Sequence, residues 1–250
     1  MAVRFALNLL LPDSLEDLLR CIMSRKAGVS EEISQEEQEL FRLTRVWFTT
    51  FNLDTIHSLD GGKTPSVTFK TSPRRLRMLC NHTLCTPTDL RLFAQVELNV
   101  MRVSIYASLS SSSTLLELDA MERQISSAVQ GASIDLDLWL EEWAALSAKH
   151  IHQQDHIDTL NMRVQHAYAL LTIHLRALSV GSIENIAAMT FSQQGLAQAA
   201  QQAAVKHLKL ILTRSHNAKQ DNEQLPTDRP YLANFRYADV AIILLRLVSY

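Results

Sequence analysis

Several residue sets in this 250-residue chain have the types and spacings that hold metals or phosphates. His152 and His156 stand four apart, as in a helical zinc pair, but no Glu follows the first His as the metalloprotease motif requires. With His150, Asp155 and Asp158 they read as a solvated polar bridge. Cys80 and Cys85 bracket His82, yet a structural zinc site wants four ligands and no further cluster surrounds these. Gly62-Lys63-Thr64 suggests a phosphate loop; the first glycine of that motif would fall on His57, and the turn follows a helix rather than a strand. Arg74, Arg75 and Arg77 form a small basic cluster in neutral surroundings and read as a solvated loop face. Trp139 and Trp143 stand one helical turn apart, the spacing of core packing, since a tryptophan buries up to about 250 Å². No nucleophile elbow, strand-borne phosphate loop or His–carboxylate constellation is legible. No residue is expected to be catalytic, cofactor-binding or metal-ligating.

The elements that must position these residues are helices. Six Gly and six Pro are sparse for this length, and few stretches alternate with period two. The expected fold is all-α, a single bundle-like domain of roughly eight helices, with an irregular Gly/Pro segment near 60–87. Its centre is the stretch Ser34 to Pro65. Ser34-x-x-Glu37 is a capping box, in which cap and third residue each satisfy an orphan N–H. Leu40, Leu43, Trp47 and Phe51, widened by Phe48, then recur at helical spacing. Gly61-Gly62 stop the helix after about 25 residues, roughly 37 Å. Asp54 is oddly placed, because a carboxylate in the last turns faces the negative end of the helix dipole. It is expected to cap N–H groups of the Gly61–Pro65 turn or to pair with Arg45, Arg74 or Arg77.

Around this centre, Met1–Leu11 reads as a buried helix and Leu15–Met23 as a short one opened by Ser14-x-x-Asp17. A long helix spans Thr88–Leu109, with Leu92, Gln95 or Val96, Asn99 or Val100, and Val103 inward. Thr114-x-x-Glu117 caps another, which Gly131 ends. A separate helix carries Leu136, Trp139, Leu140, Trp143 and Leu146 on one face. Ile157–Leu178 has the cleanest pattern and is apolar over most of its circumference; Gln193–Thr213 is Ala-rich with small residues that permit a close neighbour. Pro230 starts a last helix with Phe235, Ala238, Ile242 and Leu245 inward. Trp47 is expected to be buried against the Met1–Leu11 or the Ile157–Leu178 helix.

The string Arg45-Val-Trp47-Phe-Thr-Thr-Phe-Asn-Leu53-Asp54, followed by Ser58, Gly62-Lys63 and Pro65, resembles the signature helix of the fungal transcription-factor regulatory domain. This is the middle homology region of fungal zinc-cluster activators, written as Arg-x-Trp, an apolar run, Leu-Asp-Arg, then Ser and Gly-Arg-Pro. Thr55 stands where the pattern has arginine, and Thr64 is inserted before Pro65. Met1–Ala6 is similar to an internal helix of that domain, and the tryptophan helix and the Tyr168 stretch match its later part. The resemblance implies a nuclear regulatory domain, incomplete at both ends. It also implies coregulators or the protein's own missing domains as partners, a small-molecule effector in some members, and zinc only in an absent N-terminal DNA-binding module. The rival classes are a helical scaffold or adaptor and an orphan enzyme.

Composition agrees with a packed core and limits the partners. Hydrophobic residues make up 47% and charged ones 20%, within the globular range. Lys and Arg number 24 against 26 Asp and Glu, so this chain lacks the basic footprint of a nucleic-acid reader. Three cysteines cannot build a six-cysteine zinc cluster, and an odd count without a secretory signal fits free thiols in a reducing compartment. No apolar run reaches the 18 or more residues of a membrane span.

Overall fold

The computed structural model describes residues 2–27, 32–111, 118–150, 156–180 and 189–220. It is all-helical: seven α-helices and two 3₁₀ helices are formed among the described residues, with no strand. The chain divides into two compact units, Met1–Ser104 and Ile105–Tyr250.

In the first unit, α1 (Ala2–Asn8) and a one-turn 3₁₀ helix (Leu11–Asp13) lead into α2 (Ser14–Ala27) and α3 (Gln35–Asp60). A nine-residue 3₁₀ helix (Pro73–Asn81) and α4 (Pro87–Ser111) follow, α4 running on into the second unit. The stretch expected to be irregular near 60–87 is therefore irregular only around this helix. α3 packs against α1, α2 and the first 3₁₀ helix, so the expected centre is the centre of this unit. Its buried face is rotated from the predicted one. Phe41, Thr44, Trp47, Phe48, Phe51, Thr55 and Leu59 are buried, whereas Leu40 and Leu43 are only half-buried. Phe48 meets Phe93 of α4 edge-on at 5.6 Å, and Phe69 reaches back to Phe51 at 5.2 Å. α4 turns Leu90, Phe93, Ala94, Glu97, Leu98 and Arg102 inward with the predicted Val96 and Asn99, leaving Leu92, Val103 and the alternatives Gln95 and Val100 half-buried.

α1 departs from the all-round burial read from its composition. Ala6 is buried, but Leu7, Leu9 and Leu10 are exposed; Leu10 takes a left-handed conformation (φ 54°) that swings the chain round before Leu11 re-enters the core. Ser14 does not cap α2 through a box: its hydroxyl donates to Leu11 O at 2.7 Å, inside the preceding turn.

The end of α3 follows its glycines closely. Gly62 takes φ +69°, its N–H donates to Leu59 O at 3.1 Å, and Lys63 N–H donates to Ser58 O at 2.8 Å. That pair of bonds is a Schellman motif, and only glycine adopts the left-handed position without a Cβ penalty.

In the second unit, α5 (Leu118–His150), α6 (His156–Val180) and α7 (Phe191–Gln220) lie side by side, with α6 in contact with both neighbours. Gly131 does not end a helix. α5 runs 33 residues through it, because the inward positions Ile125, Val129, Ala132, Leu136, Trp139 and Trp143 continue unbroken across it. One helical glycine costs only about 1 kcal/mol, less than burying a single one of these side chains returns. Trp139 and Trp143 are core residues. α6 buries Ala167, Tyr168, Leu171, Ile173, His174 and Ala177, and its Tyr168 and Leu171 cluster with Ala200, Ala203 and Ala204 of α7. The small side chains let the two backbones approach closely. The cap at Thr114–Glu117, most of the histidine bridge and the helix read from Pro230 lie outside the described residues.

Two buried histidines should make this second unit acid-sensitive. Burial lowers the His166 pKa below its ordinary value; Asp137 of α5, 2.8 Å from its Nε2, opposes that shift and Lys206 of α7 adds to it. Burial lowers His174 as well, against the Leu170 carbonyl that its Nδ1 contacts at 2.6 Å. A histidine whose folded pKa lies below its unfolded value of about 6.5 binds protons more readily when unfolded. Stability is therefore complete above that value and declines as pH falls below it towards the folded pKa. The urea midpoint should fall between pH 7 and pH 5, and His174→Leu should flatten part of that slope.

Candidate functional site

A linked set of buried and half-buried charged groups lies on α3 and the loop facing it. Glu37, in the first turn of α3, is wholly buried. Ser34 Oγ accepts its backbone N–H at 3.1 Å, which is half of the predicted capping box. Its carboxylate does not turn back to the cap. Oε1 lies 2.7 Å from His82 Nε2, and Oε2 lies 3.0 Å from Arg25 Nε near the end of α2. His82 Nδ1 accepts the Leu84 N–H at 3.1 Å, so Nε2 carries the proton that is donated to Glu37. The imidazole stacks on Phe41 at 5.0 Å, and the Arg45 guanidinium lies over the same ring at 4.6 Å.

Arg45 then closes the loop. Its guanidinium grips Asp89 with two bonds of 2.7 Å and donates a third to Leu84 O at 2.8 Å. Asp89 also accepts the Thr86 N–H and hydroxyl, which makes it the anchor of α4's first turn. Burial raises the Asp89 carboxyl, but the hydrogen bonds from Arg45 and Thr86 together hold it below its ordinary value. Farther along, Asn52 and Asn99 bond across α3 and α4 at 2.9 Å, and buried Arg102 meets Asp60 at 3.0 Å. The signature helix is thus joined to its neighbours by a line of charged and amide groups.

Asp54 is held, though not as expected. Its Oδ2 accepts the N–H groups of Ser66 at 2.8 Å and Val67 at 3.2 Å, just beyond Pro65, and pairs with no arginine among the described residues. The candidate arginines are otherwise placed: Arg45 on Asp89, Arg77 on Glu97, and Arg74 exposed. Arg75 pairs with Glu16, so the cluster read as a solvated loop face is instead largely a set of tertiary ion pairs. Of the remaining signature residues, Trp47 is core and Leu53 and Lys63 are exposed; Ser58 and Gly62 build the helix stop, and Pro65 precedes the pair of N–H groups that Asp54 holds. Thr55 is fully buried, so an arginine in its place would carry a charge into the core. Asp54→Ala should cost about 1 kcal/mol, because charge-assisted bonds are worth more but this carboxylate is half-exposed. Asp54→Asn, which keeps an acceptor, should recover most of that loss in a denaturant titration.

Burial pushes the Cys80 thiol up to about 11 and the Cys85 thiol up to about 12, so neither supplies a thiolate near neutral pH. Among the described residues no three His, Cys, Asp or Glu side chains gather as metal ligands, and no helix is long and apolar enough to cross a membrane. A cleft of about 450 Å³ on α2 is lined by Glu16, Arg20, Met23, Ser24 and Arg75. It is open and charged, unlike the apolar pocket between helices expected for a small effector.

Sequence reading missed the Glu37 cluster, and one signal was available. Counting back from Leu59 through Thr55, Phe51, Phe48, Thr44 and Phe41 at helical spacing lands on Glu37, which puts an acid on the buried face. No protein-family profile matches the chain, and no curated protein or solved structure does.

Proposed function

We propose that this chain is the regulatory region of a transcription factor of the fungal zinc-cluster class. In this reading it has no catalysis of its own and works in the nucleus, through contacts with coregulators or with other parts of the same polypeptide. The observation that carries the reading is the use made of the signature residues. Arg45 clamps Asp89 and Leu84, Trp47 fills the core, Asp54 holds Ser66 and Val67, and Gly62 stops the helix, so the motif is one linked structural unit. DNA contact and zinc are assigned to a separate six-cysteine module. Elemental analysis of the purified chain should find no stoichiometric zinc, and gel shift should show duplex binding no tighter than about 10⁻⁴–10⁻⁶ M at physiological salt. The direct test fuses the full chain to an unrelated DNA-binding domain upstream of a reporter. A severalfold change in transcription is expected, and Arg45→Ala should abolish it.

A helical scaffold is the second reading, favoured by the exposed apolar positions Phe191 and Leu212 on α7. A reporter left unchanged by the fusion, in both activated and repressed settings, would favour it over transcription control.

A further inference from the structure

The solvent-facing side of α5 carries a narrow apolar seam. Gly131, Ile134, Leu138 and Ala145 fall on one stripe at helical spacing, all exposed, with Ile134 at 55% and Leu138 at 49%. Exposed acids flank it: Asp135, Glu141 and Glu142. Two large aliphatic side chains one turn apart, with a glycine at one end and an alanine at the other, form the kind of surface an amphipathic helix covers. The acidic border disfavours a second copy of the same face, since like charges would meet across it, and favours a basic partner.

The path of the second unit leads one such partner to this place. Tyr168 and Leu171 of α6 cluster with Ala203 and Ala200 of α7, and Val164 O meets His207 Nδ1; the numbering runs oppositely, so the two helices are antiparallel. Asp137 meets His166 and only a short link joins α5 to α6, which makes that pair antiparallel too. α7 therefore runs parallel to α5, and Thr190 at its start bonds Glu122 near the start of α5 at 2.8 Å. Thirty residues later, at Gln220, the chain is about level with the far end of α5, on a rise of 1.5 Å per residue. The eight residues 221–228 span at most roughly 27 Å when extended. If the helix that the spacing predicts from Pro230 returned along α5, Ile242 would come level with Leu138, and Arg246 level with Ile134 and Asp135. The stretch 229–250 holds three arginines against one aspartate, with Phe235, Ala238, Ile242 and Leu245 at helical spacing.

We propose that the α5 seam is an intramolecular docking site for this chain's own C-terminal stretch, residues 229–250, which completes the second unit as a four-helix arrangement. The inference does not depend on the transcriptional reading. The test places a photo-crosslinking benzoylphenylalanine at Leu138 in the full chain, a position exposed enough to accept it, and maps the adducts by peptide mass spectrometry. Adducts of monomer mass joining Leu138 to residues within 235–247 are expected. Dimer-mass adducts, adducts elsewhere in the chain, or none at all would overturn the proposal. Charge matching is read separately in the same assay. Arg246→Glu should lower the adduct yield severalfold, and adding Asp135→Arg should restore it; a yield indifferent to both changes would overturn the pairing of the basic stretch with the acidic border.

Discussion

Trp47→Ala should destabilise the first unit by about 3–5 kcal/mol, the range for truncating a large buried aromatic. Trp47 is 2% exposed on the helix that α1, α2 and the first 3₁₀ helix all pack against. Its ring lies 6.4 Å from Phe51, and the Phe48–Phe93 and Phe51–Phe69 contacts continue the same aromatic layer. Removing it opens a cavity that its neighbours cannot refill without leaving their rotamers. A loss of that size is a large share of the roughly 5–15 kcal/mol by which domains are stable. The measurement is urea unfolding of the full chain, followed by tryptophan fluorescence, which retains Trp139 and Trp143 as reporters of the second unit, and by circular dichroism for the whole. The expected signature is an early transition in the helical signal that precedes the fluorescence change. A shift below about 1 kcal/mol, the range of ordinary surface changes, would remove α3 from the centre of its unit.

Glu37→Ala should cost about 3 kcal/mol or more, by a different mechanism. Burying a carboxylate is expensive, and its partners recover that cost only while all of them are present. Taking Glu37 away leaves the buried His82 Nε2–H without an acceptor and Arg25 without its ion pair. It also unties the 82–84 turn from the start of α3. Glu37→Gln keeps the shape and one acceptor oxygen, so it should lose less. The exposed pair Glu39–Arg42, on the next turn of the same helix, serves as the control: Glu39→Ala should be nearly neutral, since the pair lies in solvent and is screened. A double-mutant cycle of Glu37→Ala with His82→Ala should show non-additivity of at least about 1 kcal/mol, as groups sharing one network do. Additive losses would mean that the two side chains touch without coupling.

What the sequence by itself determined is what depends on near neighbours. The all-helical class follows from scarce Gly and Pro and from periodicity. The Ser34 cap, the Gly61–Gly62 stop and the burial of Trp47, Trp139 and Trp143 follow from local stereochemistry and side-chain size. The tertiary structure decided which groups separated by tens of residues meet. Asp89 lies 44 positions from Arg45 and His82 lies 45 from Glu37, and nothing in the intervening pattern encodes either pairing. Local rules failed where long-range packing outweighed them. Glu37 gave up half of its capping box for the buried His82 and the half-buried Arg25, and Gly131 was carried through α5 because the apolar stripe continues on both sides of it. That Asp54 needs a partner follows from the helix dipole alone. Which N–H groups would answer it depended on how the chain after Pro65 folds back, and Val67 being buried is what brings the Ser66 and Val67 N–H groups to its carboxylate.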